Sequence, residues 1–437
     1  MCKRFIALIV CLFGIMCLSG CDLFAIDTAE LLSPPMLSGE LKPIADAITK
    51  TAGDGYSFKY PSRGDYRSAV VREDIDGDGI LEAFAFYSVT DGETVTMHIN
   101  AITKRNGEWV SVATQKIVAA SVDKIEFCDL DGNGIKEILV GWEIYGTSEM
   151  RLAVYGFEEN TLTQRMLQKY THFETCDLDD DDKYEILLIN ADIGSGNTAS
   201  LFALTDNGIT QISACALDST SKTFDEPIIS TLSNGKPAVY IDEIKGVGAV
   251  TEVIFLEKGS LVNPLYSSET KETSATLRSV TFRVTDIAGD GIYEIPIQEN
   301  VPSVITNDAN EILYLTNWCS FNGETLTVQR TDMINVIDGY SYTVPARLIG
   351  KIAVLKNTAT HIREIYEYNA EEETIGLSLI LFKAVSADQW QEEVLRGTDG
   401  QEIMKRDDTV FVAYISDTAK VQGITIDTVK SSFSIFE

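Results

Sequence analysis

Short apolar runs separated by acidic turns recur along this chain, and their rhythm predicts a β protein. The runs are Ala83–Tyr87, Ile138–Trp142, Ile186–Ile189 and Ile295–Ile297. They are rich in β-branched and aromatic residues and bounded by turn formers, so they read as strands and not as helices. An acid opens each one, and that acid closes a nine-residue segment. The segments are Asp74-Ile-Asp76-Gly-Asp78-Gly-Ile80-Leu-Glu82, Asp129-Leu-Asp131-Gly-Asn133-Gly-Ile135-Lys-Glu137 and Asp177-Leu-Asp179-Asp-Asp181-Asp-Lys183-Tyr-Glu185. A fourth, Asp286-Ile-Ala288-Gly-Asp290-Gly-Ile292-Tyr-Glu294, has lost one acidic position.

Side-chain oxygens at positions 1, 3, 5 and 9, with the backbone carbonyl at position 7, can converge on one point if the loop winds tightly. A hard cation such as calcium takes six to eight oxygens at about 2.3–2.6 Å. The expected ligands are therefore Asp74, Asp76, Asp78, Ile80 and Glu82, then Asp129, Asp131, Asn133, Ile135 and Glu137, then Asp177, Asp179, Asp181, Lys183 and Glu185. Residues Asp286, Asp290, Ile292 and Glu294 form a weaker set, because Ala288 offers no ligand. Glycine at positions 4 and 6 permits the left-handed winding. The third copy places Asp180 and Asp182 there, and aspartate tolerates that region better than most residues. An EF-hand is excluded by count: its position 12 needs a bidentate Glu, whereas Ala85, Val140, Leu188 and Ile297 stand there.

The segments start at residues 74, 129, 177 and 286, so the gaps are 55, 48 and 109. The last is about twice the others, and a degenerate copy is expected near Ser233–Asp242, a turn and a strand without ligands. A period of about 50 residues suits one propeller blade of four short antiparallel strands. The loops and their following strands resemble the FG-GAP and VCBS-type repeats of integrin-like propellers over roughly residues 63–335. The Phe-Gly and Gly-Ala-Pro elements that name that family are not evident here. The resemblance implies a propeller of about five to seven blades with calcium-stiffened hairpins.

The N-terminus bears on location. Lys3 and Arg4 precede an apolar stretch, Phe5–Cys17, too short to cross a roughly 30 Å bilayer core but suited to a signal peptide. Leu18-Ser19-Gly20-Cys21 resembles a bacterial lipobox. That resemblance implies removal of residues 1–20 and lipidation of Cys21, which would hold the protein on the extracytoplasmic face of the cell membrane. Residues 21–62 are then the anchor, a tether containing Pro34-Pro35, and a short helix whose Leu41, Ile44 and Ile48 have helical spacing, ended by Gly53.

The chain carries 35 basic and 66 acidic residues, a net charge of −31. Such a charge repels phosphate and excludes nucleic acid as a partner. Beyond the leader and Cys21 the cysteines are Cys128, Cys176, Cys215 and Cys319. Cys128 and Cys176 sit at equivalent repeat positions; they read as buried apolar thiols, with a disulfide as the alternative. Residues 336–437 read as a separate small α+β domain. Strands are expected at Lys351–Leu355, Ile362–Tyr368, Leu377–Phe382 and Val410–Tyr414. The helix between them carries a Ser386/Gln389 capping box and stops at Gly397.

Three histidines, His98, His172 and His361, show no nucleophile, zinc or phosphate-loop spacing. Trp109, Trp142 and Trp318 suit either blade core or a glycan-stacking platform. The expected role is thus binding or scaffolding of an envelope protein or glycan, without catalysis and with structural calcium. The alternatives are a carbohydrate-active enzyme using carboxylates in the propeller funnel, and a sensor partnered with membrane proteins.

Overall fold

The computed structural model describes residues 41–436 apart from 93, 148, 193–195, 280–281, 303–312 and 358. The leader, the lipobox and Cys21 lie outside the described residues. The first element is the helix α1 (Lys42–Ala52), which ends on Gly53 in a left-handed φ of 76°. After it the described residues form six antiparallel sheets of four or five strands, largely in sequence order, and one two-stranded sheet.

Sheet 1 is built on Glu82–Asp91, Thr94–Arg105 and Glu108–Ile117, with Tyr56–Phe58 and Val70–Glu73 end to end along its first edge. Sheet 2 comprises Ala119–Cys128, Glu137–Ile144, Met150–Glu158 and Thr161–Tyr170. Sheet 3 comprises His172–Cys176, Glu185–Asn190, Thr198–Thr205 and Gly208–Ala216. Sheet 4 centres on Pro237–Lys245 and Gly248–Glu257, sheet 5 on Ile295–Val301, Leu313–Phe321 and Leu326–Asn335. Sheet 6 contains Ile352–Asn357, Ile362–Asn369, Thr374–Ser386, Thr409–Ile415 and Gln401–Arg406. The strand of the degenerate copy is present as Pro237–Lys245, entered by the turn that holds Gly235.

The uninterrupted apolar runs follow from how these sheets stack. Successive strand residues point to opposite faces, and each central sheet is covered on both. Ile138, Val140 and Trp142 pack toward Phe84 and Phe86 of sheet 1, whereas Leu139 packs toward Ile186 and Leu188 of sheet 3. Leu187 and Ile189 in turn face Val239, Ile241 and Ile254 of sheet 4. Tyr240 and Phe255 face Ile295 and Phe321 of sheet 5. Trp142 is wholly buried and Trp318 nearly so, with its indole N–H donating to Asp332; both are blade core. The architecture is mainly β and propeller-type.

The two end faces of the stack are closed differently. Helix α1 covers sheet 1 with Ile44, Ala47 and Ile48 against Ala85, Tyr87 and Ile102. The helix α2 (Ala387–Arg396), which forms the expected capping box from Ser386, lays Trp390 on Val385, Val410 and Val412 of sheet 6. Among the described residues no core cluster joins sheets 1 and 6.

Strand pairing runs across residue 336, where a separate domain was expected to begin. Leu326–Asn335 pairs with Tyr340–Thr343 across residue 336, and the C-terminal strand Phe433–Ile435 completes the same sheet. Leu315, Met333, Tyr342, Ile365, Phe382 and Phe433 then share one core. Two short helices, α3 (Asp417–Val421) and α4 (Ile426–Ser431), and the strand Gln401–Arg406 add to those expected from sequence.

Candidate metal loops and the interblade cleft

The four acidic segments adopt one conformation, held by their own side chains. The position-9 carboxylate accepts the position-2 N–H in every copy: Glu82 from Ile75 at 3.4 Å, Glu137 from Leu130 at 3.2 Å, Glu185 from Leu178 at 3.0 Å and Glu294 from Ile287 at 3.1 Å. The position-1 aspartate gathers the inner turn. Asp129 accepts from Gly132, Asn133 and Gly134 at 2.8, 3.1 and 2.8 Å. Asp177 does the same for Asp180, Asp181 and Asp182, and Asp286 for Gly289, Asp290 and Gly291. Asp74 accepts from Gly79 at 3.0 Å. Position 5 pins position 7, as Asp78 does the Ile80 N–H at 2.7 Å, Asn133 that of Ile135 and Asp181 that of Lys183.

Positions 4 and 6 are left-handed throughout. Gly77 and Gly79 have φ of 72° and 83°, and Asp180 and Asp182 reach 62° and 65° despite their side chains. The first and second copies are also joined to each other. The Lys136 N–H donates to Ile75 O at 2.8 Å, and its ammonium pairs with Glu73 at 2.5 Å.

Carboxylate oxygens converge most closely in two copies. One oxygen each from Asp74, Asp76 and Asp78, and one each from Asp177, Asp179 and Glu185, lie within 4.8 Å of one another. Asp74 Oδ1 is buried without a hydrogen-bond partner. In the second copy both Glu137 oxygens are engaged, Oε2 by Leu130 and Oε1 by Arg165 at 2.7 Å. Its remaining oxygens come from Asp129, Asp131 and Asn133. Burial pushes Glu185 up to about 7, against the pull of the Leu178 N–H, and Asp179, Asp177 and Asp181 add to the rise. Burial likewise raises Glu82, Glu137 and Glu294. The donor set is all oxygen, without nitrogen or sulfur, which fits a hard cation of the calcium class.

Sequence reasoning missed a second cluster, where the first strands of neighbouring sheets meet. Lys124 of sheet 2 pairs with Glu126 at 2.6 Å and with Glu174 of sheet 3 at 2.8 Å. Arg63 forms a two-pronged bond to buried Asp123 (2.8 and 2.7 Å), which also accepts from the Tyr170 hydroxyl at 2.6 Å. His172 sits between Arg63 and Phe224 O. A cleft of about 270 Å³ opens here, lined by Asp65, Tyr66, Lys124, Glu126, Glu174 and Glu226 among others. Burial raises Glu174 to about 7 in spite of Lys124. The signal was available: Glu126 and Glu174 each stand three residues before a loop aspartate.

The other candidates are structural. His98 stacks on Tyr87, and His361 contacts Asp338. Cys128, Cys176, Cys215 and Cys319 are free thiols, raised by burial.

No known family matches the chain, and neither does any curated protein. Distant structural likenesses exist. A rhamnogalacturonan lyase of Bacillus licheniformis is 13% identical at a TM-score of 0.31, covering 52% of each chain. The Pseudomonas aeruginosa periplasmic gluconolactonase is 10% identical at 0.27, covering 68% of this chain and 81% of the other. The Dos1 propeller is 11% identical at 0.26, covering 71% and 78%. The match thus spans about half the length of the first. At such scores the likeness carries no argument about activity or ligand.

Proposed function

We propose that the chain is a lipid-anchored, extracytoplasmic, calcium-binding β-propeller that serves as a binding or scaffold protein at the bacterial cell envelope. The observation that supports this reading is the shared loop geometry, which brings carboxylate oxygens within 4.8 Å of one another in the loops that lead into sheets 1 and 3. Calcium would relieve their repulsion and fix the hairpins. With a dissociation constant near 0.1 mM, in the range of extracellular modules or tighter, and calcium at about 1 mM, each site contributes about 1.4 kcal/mol. A structural role needs no more than that.

Lys124 reaching from sheet 2 to Glu174 of sheet 3, and Arg63 spanning Asp123 and His172, suit a rigid scaffold. The test is a glycan and protein-ligand binding screen on the mature chain with calcium present. Mass spectrometry of the N-terminal peptide checks the acyl chains on Cys21. Binding abolished by chelator supports the reading; an unmodified Cys21 in the cell removes the anchor from it.

A second reading, a carbohydrate-active enzyme, is favoured by one observation. Glu126 and Glu174 share Lys124 on the wall of a cleft, and Glu174 is held near neutrality, where a general acid operates. Turnover on a panel of glycosides that is lost in Glu174→Gln would favour the enzyme over the scaffold.

A further inference from the structure

Sheet 4 has no acidic loop at its entry turn, and its unpaired charge lies inside instead. Its central strands pair with Ile241 opposite Glu252 and Glu243 opposite Val250. Alternation therefore puts Glu243 on the face of Val239 and Ile241, and Glu252 on that of Ile254, both turned toward sheet 3. Each is wholly buried.

Their surroundings differ. Glu252 Oε1 accepts from Asn263 Nδ2 at 2.7 Å and Thr273 Oγ1 at 2.6 Å, and Oε2 accepts the Asp218 N–H at 3.0 Å. Among the described residues Glu243 has a hydrogen-bond partner on neither oxygen. The Ser221 hydroxyl and Glu252 lie beside it without reaching hydrogen-bond geometry. Asn263 Oδ1, on the amide that holds Glu252, is buried and unpartnered as well. The nearby cations are committed elsewhere. Lys245 bridges Asp218 and Glu272 at 2.8 Å each, and Arg278 pairs with Asp242 on the opposite face.

Two buried carboxylates thus lack a countercharge, in a setting where an unpaired charge is strongly unfavourable. A proton shared between Glu243 and Glu252 would serve one oxygen of Glu243 and still leave Asn263 Oδ1 bare. A cation takes lone pairs only, and orphaned lone pairs are what this place offers. We propose that sheet 4 holds a hard metal cation of the calcium class between Glu243 and Glu252, with Ser221 and Asn263 as neutral oxygen ligands. Two carboxylates balance a divalent charge, and an all-oxygen set suits calcium. The ion ties the segments that carry Ser221 and Asn263 to the sheet 4 hairpin. It shares no residue with the four loops.

The test counts calcium per chain by elemental analysis after gel filtration of the full-length protein, wild type against Glu243→Gln. The expected result is a loss of one equivalent, whatever the loops retain. An unchanged count overturns the site, and so does a rise in the melting temperature of Glu243→Gln that is equal in calcium and in chelator; either result means that the pair shares a proton. Should Glu243→Gln fail to fold, Ser221→Ala decides. One calcium affinity weakened about tenfold supports the site, and unchanged affinities refute it.

Discussion

Arg278 offers the sharpest energetic test of how the sheets are joined. Its guanidinium is fully buried; Nη2 donates to Asp242 at 2.9 Å, Nη1 to Thr251 Oγ1 at 3.0 Å and to Thr276 O at 3.2 Å, and Nε to Phe282 O at 2.6 Å. Its backbone exchanges two hydrogen bonds with Ala249, so the segment leading to sheet 5 is stitched along sheet 4. Asp242 also accepts the Val284 N–H at 2.8 Å. Arg278→Met leaves Asp242 as an uncompensated buried charge, and breaking one side of a buried pair costs about 3–5 kcal/mol. Asp242→Asn does the same to the guanidinium. Combining the two removes both charges, while the amide oxygen at position 242 can still accept from Val284. The double variant should therefore lose less than the sum of the singles by about 2 kcal/mol or more. Urea unfolding followed by tryptophan fluorescence at fixed calcium measures all four proteins. Additivity within about 0.5 kcal/mol, or a single-variant loss under about 1 kcal/mol, would refute the argument.

Other consequences can be checked in the same assay. A Cβ at Gly141 would lie 2.0 Å from the Tyr170 hydroxyl, so Gly141→Ala should displace Tyr170 from Asp123 and cost about 1–3 kcal/mol; a neutral result would mean that the ring has room to move. Burial raises the folded-state pKa of Glu174 from 4.5 to about 7. The fold thus binds this proton more tightly than the unfolded chain, and the associated stability is complete below pH 4.5 and lost as pH rises to about 7. The loss is up to about 3 kcal/mol, and Glu174→Gln should flatten the profile in that window. An unchanged slope would contradict the assignment. Asp182 sits at a φ of 65° where the other copies have glycine, so Asp182→Gly should raise the unfolding free energy by about 1 kcal/mol; a lower stability would show that its carboxylate contributes more than its backbone strain costs.

Much of the fold was legible because it is local. The winding of the loops, the strands that follow Glu82, Glu137 and Glu185, helix α1 and the Ser386 capping box each depend on residues a few positions apart. What escaped depends on distant partners. Phe433–Ile435 completes a sheet that begins at Ile295, well over a hundred residues earlier, and no composition change announces that strand pairing runs across residue 336. The interblade pairs Lys124–Glu174 and Arg63–Asp123 arise only when the stack forms. Glu243 was visible in principle: it continues the buried alternation of Val239 and Ile241, which a strand reading assigns to an interior face. Its meaning depends on Glu252 across the hairpin, and on Glu243 having no hydrogen-bond partner among the described residues.

The central claim is that oxygen-rich turns gripping divalent ions hold successive sheets in place. Thermal unfolding of the intact protein, in about 1 mM calcium and again in excess chelator, tests it most directly. Three loops at about 1.4 kcal/mol each predict a loss of about 4 kcal/mol in chelator, a fall in Tm of about 5 °C. A Tm that stays within about 1 °C, with no calcium bound to the purified chain, would contradict the account.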